Sequence, residues 1–389
     1  MLQKEEFGWK LVHGDVFRPP SSHPMLLSIF VGTGMQLLIM SIATLSFALL
    51  GLLSPANRGS LTTAFILLFV FCGSFAGYSS SLVHKMFKGS SWKLNTMLTA
   101  SLYPGFVACT LGCLNVVLWW KGSSGAIAFH TFFTLLFLWF CVSVPLVFLG
   151  SFFGYRRAAV VHPVHTNLIP RQIVPQPWYL NPVLTIVVGG ILPFVSLSVE
   201  LYFIMSALWL HHIYYIFGFL FLVMVVLLIT CAEVSILLSY LQLCSEDYRW
   251  WWRSFLSSGS CAMYMMLYSI YYNLTELDMS GVVPVILYFG YMGLISFTLF
   301  LVAGTIGFLS SLWFTHRIYA SIKVDWWYVH YASLHILFCC VSWNVGYFVK
   351  FWFSQIYNLK IWRVRSLFIF YLYWTLVEAV GLFLHEINK

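Results

Sequence analysis

Residues 8–40 read GWKLVHGDVFRPPSSHPMLLSIFVGTGMQLLIM and mark the point at which a polar segment changes into an apolar one. The first half carries His13, Asp15 and Arg18 and contains two consecutive prolines. After Arg18 the chain has no Asp, Glu, Lys or Arg until Arg58. An uncharged stretch of this length is enough for a helix to cross the roughly 30 Å hydrocarbon core of a bilayer. The stretch therefore predicts a short polar strap that leads directly into a membrane-spanning helix.

The composition of the whole chain supports the same fold class. Hydrophobic residues make up 61% of the 389 residues and charged residues only 8%, whereas soluble domains contain about 25% charged residues. The aromatic content of 19% suits a helical bundle with Trp and Tyr at both membrane interfaces. In lipid, a helix satisfies its own backbone hydrogen bonds. We therefore predict an all-α, polytopic membrane helical bundle.

Eight apolar runs are long enough to span a bilayer, and short polar turns separate them. They lie near residues 25–53, 60–83, 97–119, 127–154, 184–208, 213–243, 254–272 and 282–314. Two further apolar runs, near 331–353 and 366–385, predict one or two additional helices in the C-terminal extension.

The positive charges predict the orientation of the bundle. The net charge of +8 does not indicate nucleic-acid binding, because the Lys and Arg residues border the apolar runs. Up to residue 325, every Lys and Arg except Arg58 and Lys121 falls on one side of the predicted bundle. Cytosolic loops carry such an excess of positive charge. We therefore expect residues 1–24 and 155–182 to face the cytosol.

Two predicted cytosolic segments are candidates for contacts with lipid or protein. The first, residues 155–182, contains five prolines and is expected to be an extended strap. The second, CSEDYRWWWRSF from Cys244, offers Ser245 as a helix N-cap. It is either a helix start anchored at the interface by Trp residues, or a docking surface for lipid head groups or cargo. The candidate contact residues are Arg156, Arg157, Arg171, Arg249, Arg253, Trp250, Trp251 and Trp252.

Several motifs resemble one known family. EEFGWKLVHGDVFRPP is followed by LLSPANRGSL, HPVHTNLIPRQI, GGILPF, CAEVSILLSYLQLCSEDYRWWWRSF and GTIGFLSSLWFTHRIYASIKVD. This series resembles the membrane domain of the transmembrane 9 superfamily, the nonaspanins, from about Glu5 to Asp325. The resemblance implies that the N-terminal strap is the cytosolic loop between a first span and the other eight. It also implies a Golgi and endosomal protein that helps to sort and deliver other membrane proteins.

The chain departs from the family pattern at both ends. The resemblance implies that family members begin with a signal peptide, a lumenal ectodomain and a first span, and we do not expect any of these within residues 1–24. Family members stop at a K-x-D tail that resembles a coatomer-read retrieval signal, matched here by Lys323 and Asp325, but residues 326–389 follow. We expect that extension to mask the motif. Its origin is either read-through or a mis-drawn gene model, or else it is a genuine variant that adds a helical hairpin and changes the compartment of the protein. The predicted domains are a strap at 1–24, an eight-helix membrane domain at 25–325 and an aromatic-rich extension at 326–389.

Two acidic residues lie inside predicted spans. Glu200 is in the fifth span and Glu233 in the sixth. Insertion of each costs about 2.5–3.5 kcal/mol, which favours a functional or structural reason for keeping it. Gly189, Gly190 and Pro193 precede Glu200 and resemble the breaks in transporter helices, although such residues also serve close packing. Both a polar structural network and an ion or proton pathway stay open.

Three classes of function follow from these observations. The first is the trafficking of other membrane proteins, with membrane lipids and transmembrane cargo as partners and coatomer if the K-x-D tail is exposed. The second is an ion- or proton-coupled transporter or channel that uses the two glutamates. An enzyme is not expected: GSSG at residues 122–125 is a weak match to an intramembrane serine protease motif. The sequence predicts no catalytic residue, no metal site and no cofactor.

Overall fold

The computed structural model describes residues 8–51, 58–122, 126–198, 213–275 and 281–320, and all statements below concern this part of the chain. It is helical with no strand in these ranges. The helices are α1 (Gly8–Leu11), α2 (Pro24–Leu49), α3 (Arg58–Met86), α4 (Trp92–Trp120), α5 (Phe129–Leu138), α6 (Val144–Arg156), α7 (Pro182–Gly189), α8 (Ile213–Cys244), α9 (Trp250–Gly259), α10 (Cys261–Thr275) and α11 (Val282–Ala320).

Six helices are long and apolar enough to cross a membrane. They are α2, α3, α4, the continuous helix formed by α5 and α6, α8 and α11. Each coincides with one of the eight predicted spans. The predicted fold class, an all-α polytopic membrane protein, is therefore confirmed.

The fifth and seventh predicted spans are both interrupted. The fifth is an apolar helix from Pro182 to Ser198 with a break at Gly190, which ends α7. The seventh is divided at Ser260 into α9 and α10. The two breaks pack together, since a Cβ on Gly190 would overlap the side chain of Ser260. Ser260 also donates its hydroxyl to the carbonyl of Ile186 at 2.6 Å, so this break serves close packing and satisfies the backbone.

A π-helical turn, Trp139–Ser143, joins α5 to α6. The turn ends two residues before Pro145. Proline has no backbone N–H, and its ring clashes with the carbonyl four residues earlier, which here lies within the turn. A wider turn at this point accommodates the proline without ending the span.

Small residues bring α3 and α6 into close contact. A Cβ on Gly77 would overlap the carbonyl of Val147, and a Cβ on Gly150 would overlap the carbonyl of Ser74. Ser151 donates a hydrogen bond to the carbonyl of Gly77 at 3.2 Å. Membrane helices commonly pack through such small residues, since backbones must approach closely for van der Waals contact.

The N-terminal strap is part of the hydrophobic core. Val12 and Val16 are 1% and 0% exposed. They belong to the same buried cluster as Trp250 and Phe308, from α9 and α11. The strap is therefore folded against one end of the bundle.

Candidate functional site

Three segments meet at the end of the bundle where α2 begins and α8 ends. They are residues 8–23 of the N-terminal strap, residues 157–181 of the strap predicted at 155–182 (the second strap), and residues 244–253. Together these three segments are called the cap. The amide of Asn167 donates to the carbonyl of Gly14 at 2.9 Å. The side chain of Gln176 donates to the carbonyl of Ser245 at 2.9 Å. Hydrogen bonds thus join segments that are distant in sequence.

Asp15 is the centre of the first charged cluster in the cap. Its carboxylate is 2% exposed and accepts from the Nε of Arg18 at 3.0 Å and from the backbone amide of Arg171 at 3.2 Å. The same Arg18 donates to the carbonyl of Asn167 at 2.7 Å. One buried carboxylate therefore ties the two straps together through charge-assisted hydrogen bonds.

Arg171 extends this cluster to the third segment. Its Nη1 donates to the carbonyl of Leu11 at 3.0 Å, and its Nη2 lies 2.6 Å from Oε2 of Glu246. Arg171 was a candidate for contact with lipid or protein, and in the structure its guanidinium is engaged within the cap.

The three consecutive tryptophans donate to three carbonyls of the N-terminal strap. The indole nitrogens of Trp250, Trp251 and Trp252 lie 3.0, 2.7 and 2.8 Å from the carbonyl oxygens of Val16, Arg18 and Ser22. Trp250 and Trp251 are 0% and 2% exposed, and their rings stack 4.0 Å apart. These two rings fill the core and use their polar edge inside the protein, while Trp252 is half-buried.

Asp247 forms the second charged cluster. It is fully buried, with Oδ2 2.9 Å from Nη2 of Arg253 and Oδ1 3.3 Å from Nε of Arg249. The prediction that Ser245 is a helix N-cap is wrong, because α8 continues to Cys244 and α9 begins only at Trp250. The hydroxyl of Ser245 instead donates to the carbonyl of Gln242.

A pair of histidines joins the second strap to α11. Nδ1 of His162 lies 3.1 Å from Nε2 of His316, and the ring of Phe17 stacks on His162 at 4.5 Å. Burial lowers the pKa of His162 to about 4, and the nearby His316 and Lys88 act in the same direction. This side chain therefore stays neutral at physiological pH.

The second strap has exposed residues both before and after His162 in sequence. Arg156 and Arg157 are exposed where α6 ends. Further along, Leu168 and Ile169 are 100% and 83% exposed. The backbone of Asn167 on one side and the side chain of Arg171 on the other are held by the hydrogen bonds described above. The loop thus presents two aliphatic side chains from a fixed backbone.

Comparisons with known proteins identify the family. The endomembrane protein 70 family matches residues 1–282. This chain belongs to that family. It is 55% identical over 322 residues to transmembrane 9 superfamily member 9 from Arabidopsis thaliana, a match that covers 83% of this chain and 50% of the relative. It is also 51% identical over 322 residues to member 2 from Homo sapiens, covering 83% of this chain and 48% of the relative.

The matches confirm the resemblance to the transmembrane 9 superfamily, and the chain is an integral membrane protein of that family. It spans about half the length of the curated relatives it matches. No solved structure matches it.

The remaining candidate residues of this family member fall at separate places. Glu233 lies on α8, well away from the termini of that helix, and is partly buried; in the described ranges its carboxylate has neither a hydrogen-bond nor an ion-pair partner. Glu200, Lys323 and Asp325 lie outside the described residues, as does the 326–389 extension. Within the described residues no group of three His, Cys, Asp or Glu side chains is placed to hold a metal ion.

Sequence reasoning missed several residues that build the cap. Asp15, His162 and His316 were not candidates, although each makes contacts between distant segments. The spacing of Asp15 and Arg18 was a usable signal, because side chains three apart in a turn are neighbours. The partners of the two histidines are set by tertiary packing and have no local signal.

Proposed function

We propose that this chain helps to sort other membrane proteins and deliver them to their membranes, in the Golgi and endosomes and without a catalytic step. The observation that carries the proposal is the exposed pair Leu168 and Ile169 on a loop with a fixed backbone. A preorganised contact surface loses little conformational entropy when a partner binds. Such a surface suits a protein whose task is to bind other proteins.

The cap supplies the rigidity that this role requires. The residues on either side of the aliphatic pair are held by Gly14, Arg18 and Asp15 of the N-terminal strap. With the predicted orientation, the pair faces the cytosol, where coat and sorting proteins act. The other proposed contacts are transmembrane cargo, bound through the bundle, and coatomer if the motif of Lys323 and Asp325 is exposed.

The test compares two pairs of exposed aliphatic residues on the same strap. Leu168→Ser with Ile169→Ser removes the fixed pair. Val160→Ser with Val161→Ser is the matched control, because those residues are also exposed but lie outside the tied segment. Each form is expressed in cells depleted of their own family members, and surface membrane proteins are quantified after biotinylation.

We expect the wild-type chain and the control to restore the surface amounts of a subset of membrane proteins, and the Leu168 and Ile169 variant to fail at equal expression. If all three forms restored the surface proteins equally, the Leu168 and Ile169 pair would not be needed for delivery. Failure of the wild-type chain to restore any surface protein would contradict the proposed function itself.

A second candidate function rests on Glu233. A carboxylate within a span, unpartnered among the described residues, is available to bind a proton or cation. A transporter would show a pH-dependent flux in proteoliposomes that Glu233→Gln abolishes. A flux no greater than that of protein-free liposomes would eliminate this candidate.

A further inference from the structure

A cleft lies directly beneath the cap, between the start of α7 and the cap-side ends of α8 and α9. The cleft is narrow and partly open to solvent. The lining includes Leu180 before α7, Leu238 and Gln242 on α8, and Arg253 on α9. None of these residues belongs to the exposed aliphatic pair, so the cleft is separate from the surface proposed to bind protein partners.

Gln242 presents an unsatisfied hydrogen-bond donor in this cleft. The side chain is 4% exposed, and its Nε2 has no acceptor in the described part of the chain. Leaving a buried polar group without a partner costs about 1–3 kcal/mol. Such a cost is expected at a position that gains its partner from a ligand.

The hydroxyl groups of the cleft already donate inside the protein. Ser239 donates to Ser311 at 2.9 Å, Ser254 to the carbonyl of Trp251 at 3.0 Å and Ser257 to the carbonyl of Ser254 at 3.3 Å. The donors left for a ligand are the amide of Gln242 and the N–H groups of Arg253 that do not face Asp247. The ligand is therefore an acceptor of hydrogen bonds.

The charge of the cleft favours an anion. In the part of the chain that the structure describes, Asp247 is the one carboxylate in contact with both Arg249 and Arg253. The cluster of these three side chains has a net charge of about +1. The side chain of Arg253 is only 15% exposed. Burial lowers the pKa of Arg253 against the opposing effect of Asp247, because a buried cation is incompletely solvated. An anion beside the guanidinium would offset the cost of burying this positive charge.

Exposed apolar side chains lie close in sequence to Leu180 and Thr185, two residues of the cleft lining. Val183 and Leu184 on α7 are 69% and 38% exposed, and Trp178 just before the helix is 81% exposed. Apolar residues on the outside of a membrane helix contact lipid, and Trp is enriched at the interface. We therefore expect the cleft, which lies at the cap end of the bundle, to open near the head groups of the neighbouring leaflet.

We propose that this cleft binds the phosphate of an anionic phospholipid from that leaflet. Arg253 and Gln242 donate to the phosphate oxygens, and the acyl chains lie along the exposed apolar face of α7. Arg is well suited to phosphate, because its planar fork of N–H groups matches the phosphate oxygens.

The test measures lipid binding to the purified full chain in detergent. The midpoint of thermal unfolding is followed during titration with dioctanoyl phosphatidylserine, dioctanoyl phosphatidylcholine or inorganic phosphate. A ligand that binds only the folded state raises the midpoint in a saturable way. We expect phosphatidylserine to do so at a lower concentration than phosphatidylcholine, and inorganic phosphate to have no effect in the same range.

Two matched substitutions separate binding from folding. Gln242→Met keeps the size of the side chain and removes its donor, and we expect it to weaken phosphatidylserine binding about tenfold. Gln36→Met is the control, because Gln36 is equally buried at 4% exposed but donates to the carbonyl of Phe69 at 2.8 Å. It should lower the unfolding midpoint and leave the lipid affinity unchanged.

Three results would contradict the proposal. Equal lipid affinity of the wild-type chain and Gln242→Met would overturn the assigned contact. A midpoint unaffected by phosphatidylserine would show that the cleft holds water only. An equal response to inorganic phosphate would assign the site to a free anion instead of a lipid. Each of these results leaves the proposed trafficking function untouched.

Discussion

The indole nitrogen of Trp250 lies 3.0 Å from the carbonyl oxygen of Val16, although 234 residues separate them in sequence. Both residues are 0% exposed. The contact joins the N-terminal strap to the start of α9 and fixes the strap against the bundle. A polar segment that precedes the first span is thereby made part of the folded core.

Replacing Trp250 tests how much this contact contributes. Trp250→Phe keeps a large aromatic ring but leaves the carbonyl of Val16 buried without its donor, which costs about 1–3 kcal/mol. We expect a lower free energy of unfolding in mixed detergent micelles. Trp178→Phe is the control, because Trp178 is 81% exposed. Equal stability of the two variants would show that the contact is not formed.

Asp247 is predicted to be the most sensitive charged residue of the cap. Asp247→Asn leaves Arg253 without its carboxylate, and breaking a buried pair of this kind costs about 3–5 kcal/mol. Arg249→Gln is the matched change on the exposed side of the same cluster, where Arg249 is 58% exposed and an ion pair contributes about 0–1 kcal/mol. The free energy of unfolding is measured for both variants. The prediction is contradicted if Asp247→Asn loses less stability than Arg249→Gln.

The close contact of α3 and α6 predicts opposite effects for two glycines. Gly150→Ala places a methyl group against the backbone of Ser74, and overpacking costs about 1–3 kcal/mol. Gly293→Ala, also within a helix, finds no atom within 4 Å and is expected to stabilise by about 0.5–1 kcal/mol. Thermal unfolding of the two variants measures whether each substitution lowers or raises the stability of the protein. If Gly150→Ala were as stable as Gly293→Ala, the helices would not be in close contact.

The histidine contact predicts a loss of stability in acid. The pKa of His162 is lowered from 6.5 to about 4, so the unfolded state binds more protons than the folded state between these values. Stability is therefore full above about pH 6.5 and falls as the pH falls towards 4. The groups that face His162 are His316 and Lys88.

His162→Phe removes this titration and keeps an aromatic ring against Phe17. We expect its unfolding midpoint to fall less than that of the wild-type chain between about pH 7 and pH 5. His165→Phe serves as the control, because His165 is exposed on the same strap. The same pH dependence in all three proteins would exclude His162 as its source.

The sequence was sufficient for the parts of the fold that depend on local chemistry. Apolar length placed the six long helices, and the pair Gly189 and Gly190 indicated the break in the fifth span, where α7 ends. The prediction of a helix N-cap at Ser245 was wrong. Ser245 directly follows the C-terminus of α8 at Cys244, and the next helix, α9, begins only at Trp250.

The cap could not be predicted from local patterns. The charges of the N-terminal strap predicted a polar cytosolic segment, yet Val12 and Val16 are buried in the core and Asp15 is paired with groups from two segments. Three tryptophans in a row resembled an interfacial belt, but Trp250 and Trp251 face inward because the strap supplies acceptors for their N–H groups. These contacts depend on the packing of segments that are distant in sequence, and local patterns carry no information about it.

We predict that the cap of this endomembrane protein 70 chain is one folded unit and that it faces the cytosol. Trypsin digestion of sealed microsomes, with cut sites mapped by mass spectrometry, measures both properties. We predict rapid cleavage after the exposed Arg156 and Arg157 and slower cleavage after Arg171, which is held by Leu11 and Glu246. Full protection of the second strap until the membrane is permeabilised would contradict the orientation, and equally rapid cleavage at Arg171 would contradict the folded cap.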